Sequence, residues 1–367
     1  MQIKEREPID FIHAMMEAVA VKTEVEGIHF RNSFPSRTGK EVMMSEKVYI
    51  STRIFPLTDE HRKYLEECAV SGDRKLELVY RAPEEMTEED LEQAVAAINF
   101  FPPALLSKAK KLEWVQLASA GADVFAPRGI LPDSCVLTNA SGAYSLSVGE
   151  HMIAQTFSLC RNFPAYARDQ QAHVWGPLRP LLAVEGSTIL VLGLGDIGSF
   201  YARKMKALGA YLIGVRRHEG ACPDCVDEVI TTERLEEALP RADIIAMVLP
   251  GGKATEHIIG DHAFALMKEG ACILNVGRGN AIDPDALMRA LDSGKLRGAA
   301  LDVTQPEPLP KDHPLWDYPN VLITPHSAGW WQLDETLSRV ISICGENLRA
   351  FSEGRPLSNV VNRELGY

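Results

Sequence analysis

In the stretch "TILVLGLGDIGSFYARKMKALGAYLIGVRR", residues 188–217, three glycines stand at fixed spacing: Gly193, Gly195 and Gly198, a G-x-G-x-x-G. An apolar strand precedes them, a helical stretch follows, and a second apolar strand comes next. Few folds accept that order. The first glycine permits a tight turn, the second lets a pyrophosphate approach the backbone, and the third lets the helix pack on the strand. Free amides and the helix dipole at the start of the helix then favour negative charge. The stretch predicts a dinucleotide-binding strand–turn–helix–strand unit.

The rest of the chain repeats the alternation. "KVYIST", "KLELVYR", "AAINF" and "LEWVQLA" are expected strands, separated by the helical segments "TDEHRKYLEECAV" (capped by Thr58), "TEEDLEQA" and "PALLSKAKK". A long helix is expected from about Ser147 to Ala172. Further strands are expected in "AYLIGVRR", "ADIIAMVLP", "ACILNVGRG", "GAALDV" and "NVLITPHSAG", with a closing helix over roughly Leu333–Ser352. Alternating strands and helices imply an α/β fold with parallel sheets covered on both faces. A chain of 367 residues suits two domains. The expected plan is an extension over 1–46, in which only "PIDFIHAMMEAVAV" suggests a helix and "RNSFPSRTGK" a loop. One domain is then formed by 47–147 and 327–367, and a second, over 148–326, is inserted into it. Ligands of such sheets bind outside the carboxyl ends of the strands, and a cleft between the lobes is expected there.

The net charge of −12 argues against a nucleic-acid partner, which needs a basic face. No apolar run approaches the roughly 18 residues of a membrane span, so no membrane partner is expected. The first ten residues, "MQIKEREPID", carry acids where a secretory leader would have a basic start and an apolar stretch, which points to the cytoplasm. Seven scattered cysteines suggest reduced thiols. Cys222 and Cys225 form a lone C-x-x-C, expected to be an exposed loop with two free thiols rather than a metal site, since a structural zinc wants a second pair.

The end of the second strand of a dinucleotide unit commonly carries an acid that binds both ribose hydroxyls of NAD. Here Arg216 and Arg217 occupy that place. A guanidinium grips a phosphate by paired hydrogen bonds. The expected cofactor is therefore NADP, used as NADPH, with NAD possible if the arginines are surface charges.

Three polar residues fall at the ends of later strands: Arg278 in "NVGRGNAID", Glu307 in "LDVTQPEPLP" and His326 in "LITPHSAG". Reducing a ketone beside a carboxylate needs a positive anchor, a proton donor to the carbonyl oxygen, and a hydride. Arginine holds carboxylates, histidine donates protons near neutral pH, and a carboxylate beside an imidazole orients it.

These residues, with "LASAGAD", "TNASGAYSLSVGEH", "LGLGDIG", "NVGRG", "LDVTQPEPL" and "TPH" in order, resemble the D-isomer-specific 2-hydroxyacid dehydrogenase family over roughly 47–360. The resemblance is to its glyoxylate/hydroxypyruvate reductase-like branch. It implies a Rossmann dinucleotide-binding domain inserted into a doubly wound, flavodoxin-like substrate domain, in a homodimer. It implies that Arg278 binds the substrate carboxylate and carbonyl, that His326 is the acid/base, and that Glu307 partners His326. It further implies that Ala120 and Gly121 offer amides to the substrate carboxylate, that Leu249 and Pro250 line the adenosine, and that Asp302 holds the nicotinamide carboxamide. The expected cofactor set is Gly193, Gly195, Asp196, Ile197, Gly198, Arg216, Arg217, Leu249, Pro250, Val276 and Asp302. The expected activity is hydride transfer from NADPH to a small 2-oxoacid. The alternatives are an NAD-linked dehydrogenase such as a phosphoglycerate type, or a dinucleotide-sensing protein resembling the corepressors built on this fold. Trp330 and Trp331 either wall the pocket or pack the closing helix.

Overall fold

The computed structural model describes residues 45–53 and 56–367. The helix and loop expected within the first 40 residues lie outside the described residues. The chain divides into two compact units, one comprising the described residues up to Ala143 with Trp331–Tyr367, the other Tyr144–Trp330.

The first unit holds a parallel sheet of β1 (Glu46–Ser51), β2 (Leu76–Arg81), β3 (Ala94–Ile98), β4 (Trp114–Gln116) and β5 (Val136–Thr138), in the order β2-β1-β3-β4-β5. That is the flavodoxin-like doubly wound order. Helices α1 (Asp59–Ala69), α2 (Glu88–Gln93) and α3 (Pro103–Leu106) link the strands. The Thr58 hydroxyl accepts from the His61 amide, and His61 Nδ1 accepts from the Thr58 amide, so α1 starts where the sequence places it. The core gathers Tyr49, Phe101, Leu112, Val115, Phe125 and Leu137. By contrast, "PALLSKAKK" is helical for only four residues. The Ser107 hydroxyl bonds the Ala104 carbonyl and competes with helix continuation.

The second unit begins with α4 (Ser145–Cys160) and α5 (Phe163–Gln171). These replace the single helix expected over 147–172. Asn162 is left-handed at φ 57°, and Pro164, with no N–H to donate, can only sit in the first turn of a new helix. Then come β6 (Thr188–Leu192), α6 (Asp196–Ala207), β7 (Tyr211–Arg216), β8 (Glu228–Thr231), α7 (Leu235–Ala238), β9 (Ile244–Met247), α8 (Asp261–Leu266), β10 (Ala271–Asn275), α9 (Pro284–Asp292), β11 (Leu296–Leu301) and β12 (Val321–Ile323). All seven strands pair in parallel, in the order β8-β7-β6-β9-β10-β11-β12. That is the Rossmann arrangement with one strand added. Strand β10, ACILN, is buried along its whole length, as a two-face-covered parallel strand must be.

The last helix, α10 (Asp334–Ser352), returns to the first unit. Asn347 on it donates to Gln116 Oε1 at 2.7 Å, and Phe351 packs on Trp114 with ring centroids 5.1 Å apart. A Cβ at Gly345 would lie 2.3 Å from the Tyr64 ring, so the glycine sets how closely α1 and α10 approach.

Candidate functional site

The chain runs from β6 outward through β7 and β8, then crosses back to lay β9 on the other side of β6. The order reverses there, and ligands of open parallel sheets bind outside the carboxyl ends at such a point. Gly193 follows β6. It has φ 101°, and a Cβ there would lie 2.7 Å from the Val248 carbonyl oxygen. At Gly198 a Cβ would lie 1.9 Å from the Gly193 carbonyl oxygen, which explains why helix and strand can touch only through a glycine. Gly195 differs. It caps α6, is exposed, and a Cβ would meet nothing within 4 Å. The open space therefore lies against the backbone at the helix N-terminus, where free amides favour an anion. Asp196 is exposed and Ile197 half-buried in the first turn of α6.

Arg216 ends β7. Its Nη2 donates to the Ala221 carbonyl at 2.5 Å, and its Nε is buried with no protein partner among the described residues. Arg217 follows, half-buried. Of the C-x-x-C beyond, Cys222 is exposed but Cys225 is buried, so only one of the two thiols lies on the surface. Among the described residues no group of three or more His, Cys, Asp or Glu could hold a metal ion, and no helix is long and apolar enough to cross a membrane.

Leu249 and Pro250 follow β9, and Val276 follows β10, its amide donating to Met247 at 3.1 Å. Arg278 stands between two glycines for a reason visible in the packing. A Cβ at Gly277 would lie 2.5 Å from the Leu249 carbonyl oxygen, and one at Gly279 would lie 1.9 Å from that of Thr304. The arginine peptide is thus wedged between two neighbouring backbones. The buried Asn275 carboxamide locks it further, donating to the Arg278 carbonyl at 2.8 Å and accepting from the Gly277 amide at 3.0 Å. Arg278 Nη1 donates to the Gly277 carbonyl at 2.9 Å.

His326 follows β12 in the left-handed region, φ 49°. Such a conformation costs a non-glycine residue on the order of 1–3 kcal/mol and persists only where its surroundings impose it. Here they do. The His326 amide donates to the Asp302 carbonyl at 2.8 Å and the Thr324 carbonyl at 2.9 Å, and Trp330 Nε1 donates to the His326 carbonyl. Glu307 Oε1 lies 2.6 Å from His326 Nδ1. The glutamate side chain is 15% exposed and the imidazole 38%, so the pair has a covered side and an open side.

Asp302, at the end of β11, is buried. Its carboxylate accepts from the Thr324 hydroxyl at 2.6 Å, the Ser327 amide at 2.9 Å and the Ala328 amide at 3.1 Å. These three donors occupy three of its roughly four lone-pair sites. Ala120 and Gly121 lie in the first unit, their carbonyls held by the Asn139 amide and the Ser119 hydroxyl, each at 2.7 Å. Sequence reasoning missed Asn275, Thr324 and the tie from Trp330. The signal for each was small: one polar residue at the end of an apolar strand, or an aromatic four residues past the histidine.

The order of strands, the phosphate-ready turn at its reversal and the acid–histidine pair on the same edge define a nucleotide-dependent oxidoreductase fold. The model of the D-isomer specific 2-hydroxyacid dehydrogenase NAD-binding domain matches residues 153–328. The chain is 33% identical over 271 residues to a glyoxylate reductase of Aeropyrum pernix, covering 71% of this chain and 79% of that one. It is 34% identical over 262 residues to a D-3-phosphoglycerate dehydrogenase of Methanocaldococcus jannaschii, 70% of this chain but only 49% of that longer protein. The crystal structure of an NADPH-dependent glyoxylate/hydroxypyruvate reductase from Sinorhizobium meliloti, in complex with NADP and sulfate, superposes with a TM-score of 0.73 at 26% identity, covering 88% of this chain and all of that one. The protein belongs to the D-isomer specific 2-hydroxyacid dehydrogenase family.

Proposed function

We propose that the protein is an NADPH-preferring reductase of small 2-oxoacids of the glyoxylate or hydroxypyruvate kind, giving the D-2-hydroxyacid. The observation that carries the chemistry is the 2.6 Å Glu307–His326 contact on the sheet edge that also holds Arg278. Arg216 at the end of β7, where an acid would repel a 2′-phosphate, supports NADP. The glyoxylate reductase relatives support the substrate class.

In this reading Gly193, Gly195, Asp196, Ile197 and Gly198 hold the pyrophosphate, with Arg216 and Arg217 on the 2′-phosphate. Leu249 and Pro250 line the adenosine side, Val276 borders the cofactor, and Asp302 uses its remaining lone pair on the carboxamide. The bound nicotinamide supplies the hydride to the substrate carbonyl carbon. Arg278 grips the carboxylate and carbonyl, and Ala120 and Gly121 give amides to the carboxylate. Glu307 accepts from Nδ1 of His326, which leaves Nε2 to pass a proton to the carbonyl oxygen as it becomes a hydroxyl.

A second copy of the chain completes the proposal. Trp175 and Leu178 are 104% and 96% exposed, and Val174 and Leu181 beside them in sequence are also exposed. Apolar surface of that size on one segment marks an association face. A panel of 2-oxoacids, each assayed with NADPH and NADH, tests the activity. The expected result is turnover of glyoxylate or hydroxypyruvate with NADPH, and turnover only of bulkier acids, or only with NADH, would overturn it.

A further inference from the structure

The face of α4 that meets the 324–328 loop is polar at i, i+4 and i+8. Ser147 Oγ donates to the Ala328 carbonyl at 2.7 Å, His151 Nε2 lies 3.1 Å from Thr324 Oγ1, and Gln155 Nε2 reaches the same hydroxyl in a longer contact of 3.5 Å. That spacing puts all three side chains on one stripe of the helix. Helices normally bury apolar residues on such a stripe, so three polar ones gripping one loop need a reason.

Thr324 sits at the centre. A hydroxyl has one proton and two lone pairs. Its proton goes to Asp302 Oδ1, 2.6 Å away, because that carboxylate is an acceptor to the Ser327 and Ala328 amides as well. His151 must then be the donor, through Nε2–H. The order of donation is His151 to Thr324 to Asp302, and Asp302 in turn holds the two amides that immediately follow His326. Those amides lie directly after the left-handed His326, so their bonds to Asp302 hold the chain where it leaves that residue. His151 Nε2 also lies 3.6 Å from Asp302 Oδ1.

We propose that His151 is a positioning residue for His326, acting through Thr324 and Asp302. It touches neither His326 nor Glu307 in the hydrogen bonds described. It fixes the direction of the Thr324 proton, keeps Asp302 in register with the loop, and so keeps the imidazole where its Nε2 can serve. A displacement of about 1 Å in a reacting group costs on the order of a hundredfold in rate, and loss of one supporting donor should cost part of that. The inference rests on the reading of His326 as acid/base.

The test compares His151→Leu, His151→Gln, Thr324→Val and the double variant His151→Leu/Thr324→Val, with His326→Ala as control. His151→Leu removes the donor and should lower kcat for the 2-oxoacid about tenfold, with KM changed less than about threefold. His151→Gln keeps an N–H near the Nε2 position and should recover most of the rate. The double variant should be little worse than either single one, since residues of one hydrogen-bonded chain are not additive. Amide hydrogen exchange of Ser327 and Ala328, followed without cofactor, should quicken in His151→Leu and return toward the wild-type rate in His151→Gln. Unchanged kcat and unchanged exchange in His151→Leu would overturn the proposal, as would additive losses in the double variant. If His326→Ala keeps its turnover, the acid/base reading fails, and the exchange rates still decide whether His151 holds the turn.

Discussion

Glu307 Oε1 lies 2.6 Å from His326 Nδ1, and the glutamate is the more covered of the two. The carboxylate fixes which ring nitrogen faces the protein, and in the proposed reading the other serves the substrate. His326→Ala should lower kcat for 2-oxoacid reduction by roughly a hundredfold or more, the usual worth of a general acid. NADPH affinity, read by fluorescence titration, should hold. Glu307→Gln keeps an acceptor without its charge and should lose roughly tenfold or more, because the imidazolium loses the carboxylate that stabilises it. A folded His326→Ala protein with near wild-type turnover would remove the histidine from the role.

Arg278 is held by its neighbours as much as by its own contacts. Arg278→Lys keeps the charge but loses the planar fork. A hydrogen bond to a charged group is worth about 1.5–3 kcal/mol, so kcat/KM should fall roughly ten- to a hundredfold. Gly279→Ala should also damage kcat/KM although no substrate contact is removed, because its Cβ would press on the Thr304 carbonyl. A lysine at 278 that works nearly as well as arginine would mean that no bidentate grip exists.

Much of this was legible in the sequence. The apolar runs at β6, β7, β9 and β10 and the three glycines could hardly fold otherwise, because Gly193 and Gly198 each answer a contact with another backbone and Gly195 leaves the helix N-terminus open. What was not legible had short or long-range causes. β5, with three residues, and β8, with four, are too short to show a period. The helix break at Asn162 was signalled by Pro164 but outweighed by the apolar pattern on both sides. The ties at Asn275, Thr324 and Trp330 depend on which loops the fold brings together. No local pattern shows that Asp302 serves the loop after β12 as well as the end of its own strand.

Asp90 offers a stability test away from the site. It is buried in the first unit, and burial alone would raise its carboxyl. Hydrogen bonds from the Thr87 amide, the Tyr49 hydroxyl and the Thr87 hydroxyl, and the charge of Arg81, outweigh burial and hold it below the ordinary carboxylate range. Burial first, then the bond to Asp90, pushes the Tyr49 phenol well above its usual value. A carboxyl depressed on folding stabilises above its unfolded pKa of about 3.9 and loses that contribution as pH falls through its folded value. Asp90→Asn should therefore cost about 1.5–3 kcal/mol at neutral pH. The difference from wild type in urea melts should shrink below about pH 4. A gap between wild type and variant that is equal at pH 7 and pH 3 would show that the charge is not what matters.

The exposed segment around Trp175 bears on assembly. Trp175→Ser with Leu178→Ser should leave the far-ultraviolet spectrum unchanged and shift the light-scattering mass from two chains toward one. A wild-type protein that runs as a monomer at micromolar concentration would remove the dimer proposal.

The proposed NADPH preference rests on Arg216. A guanidinium–phosphate contact at this half-exposed edge is weakened by solvent and salt, yet a charged hydrogen bond still contributes about 1.5–3 kcal/mol. NADPH should outperform NADH in kcat/KM by roughly ten- to a hundredfold, and the ratio should shrink as ionic strength rises. Among the described residues the buried Nε of Arg216 has no partner. Arg216→Asp should cut NADPH use steeply, because an attraction is replaced by a repulsion. The same change should help NADH, since the new carboxylate can accept from both ribose hydroxyls. The check is a pair of cofactor titrations on wild type and variant at fixed ionic strength. Equal use of the two cofactors by wild type, or a preference for NADH, would reduce Arg216 and Arg217 to surface charges and make the enzyme NAD-linked.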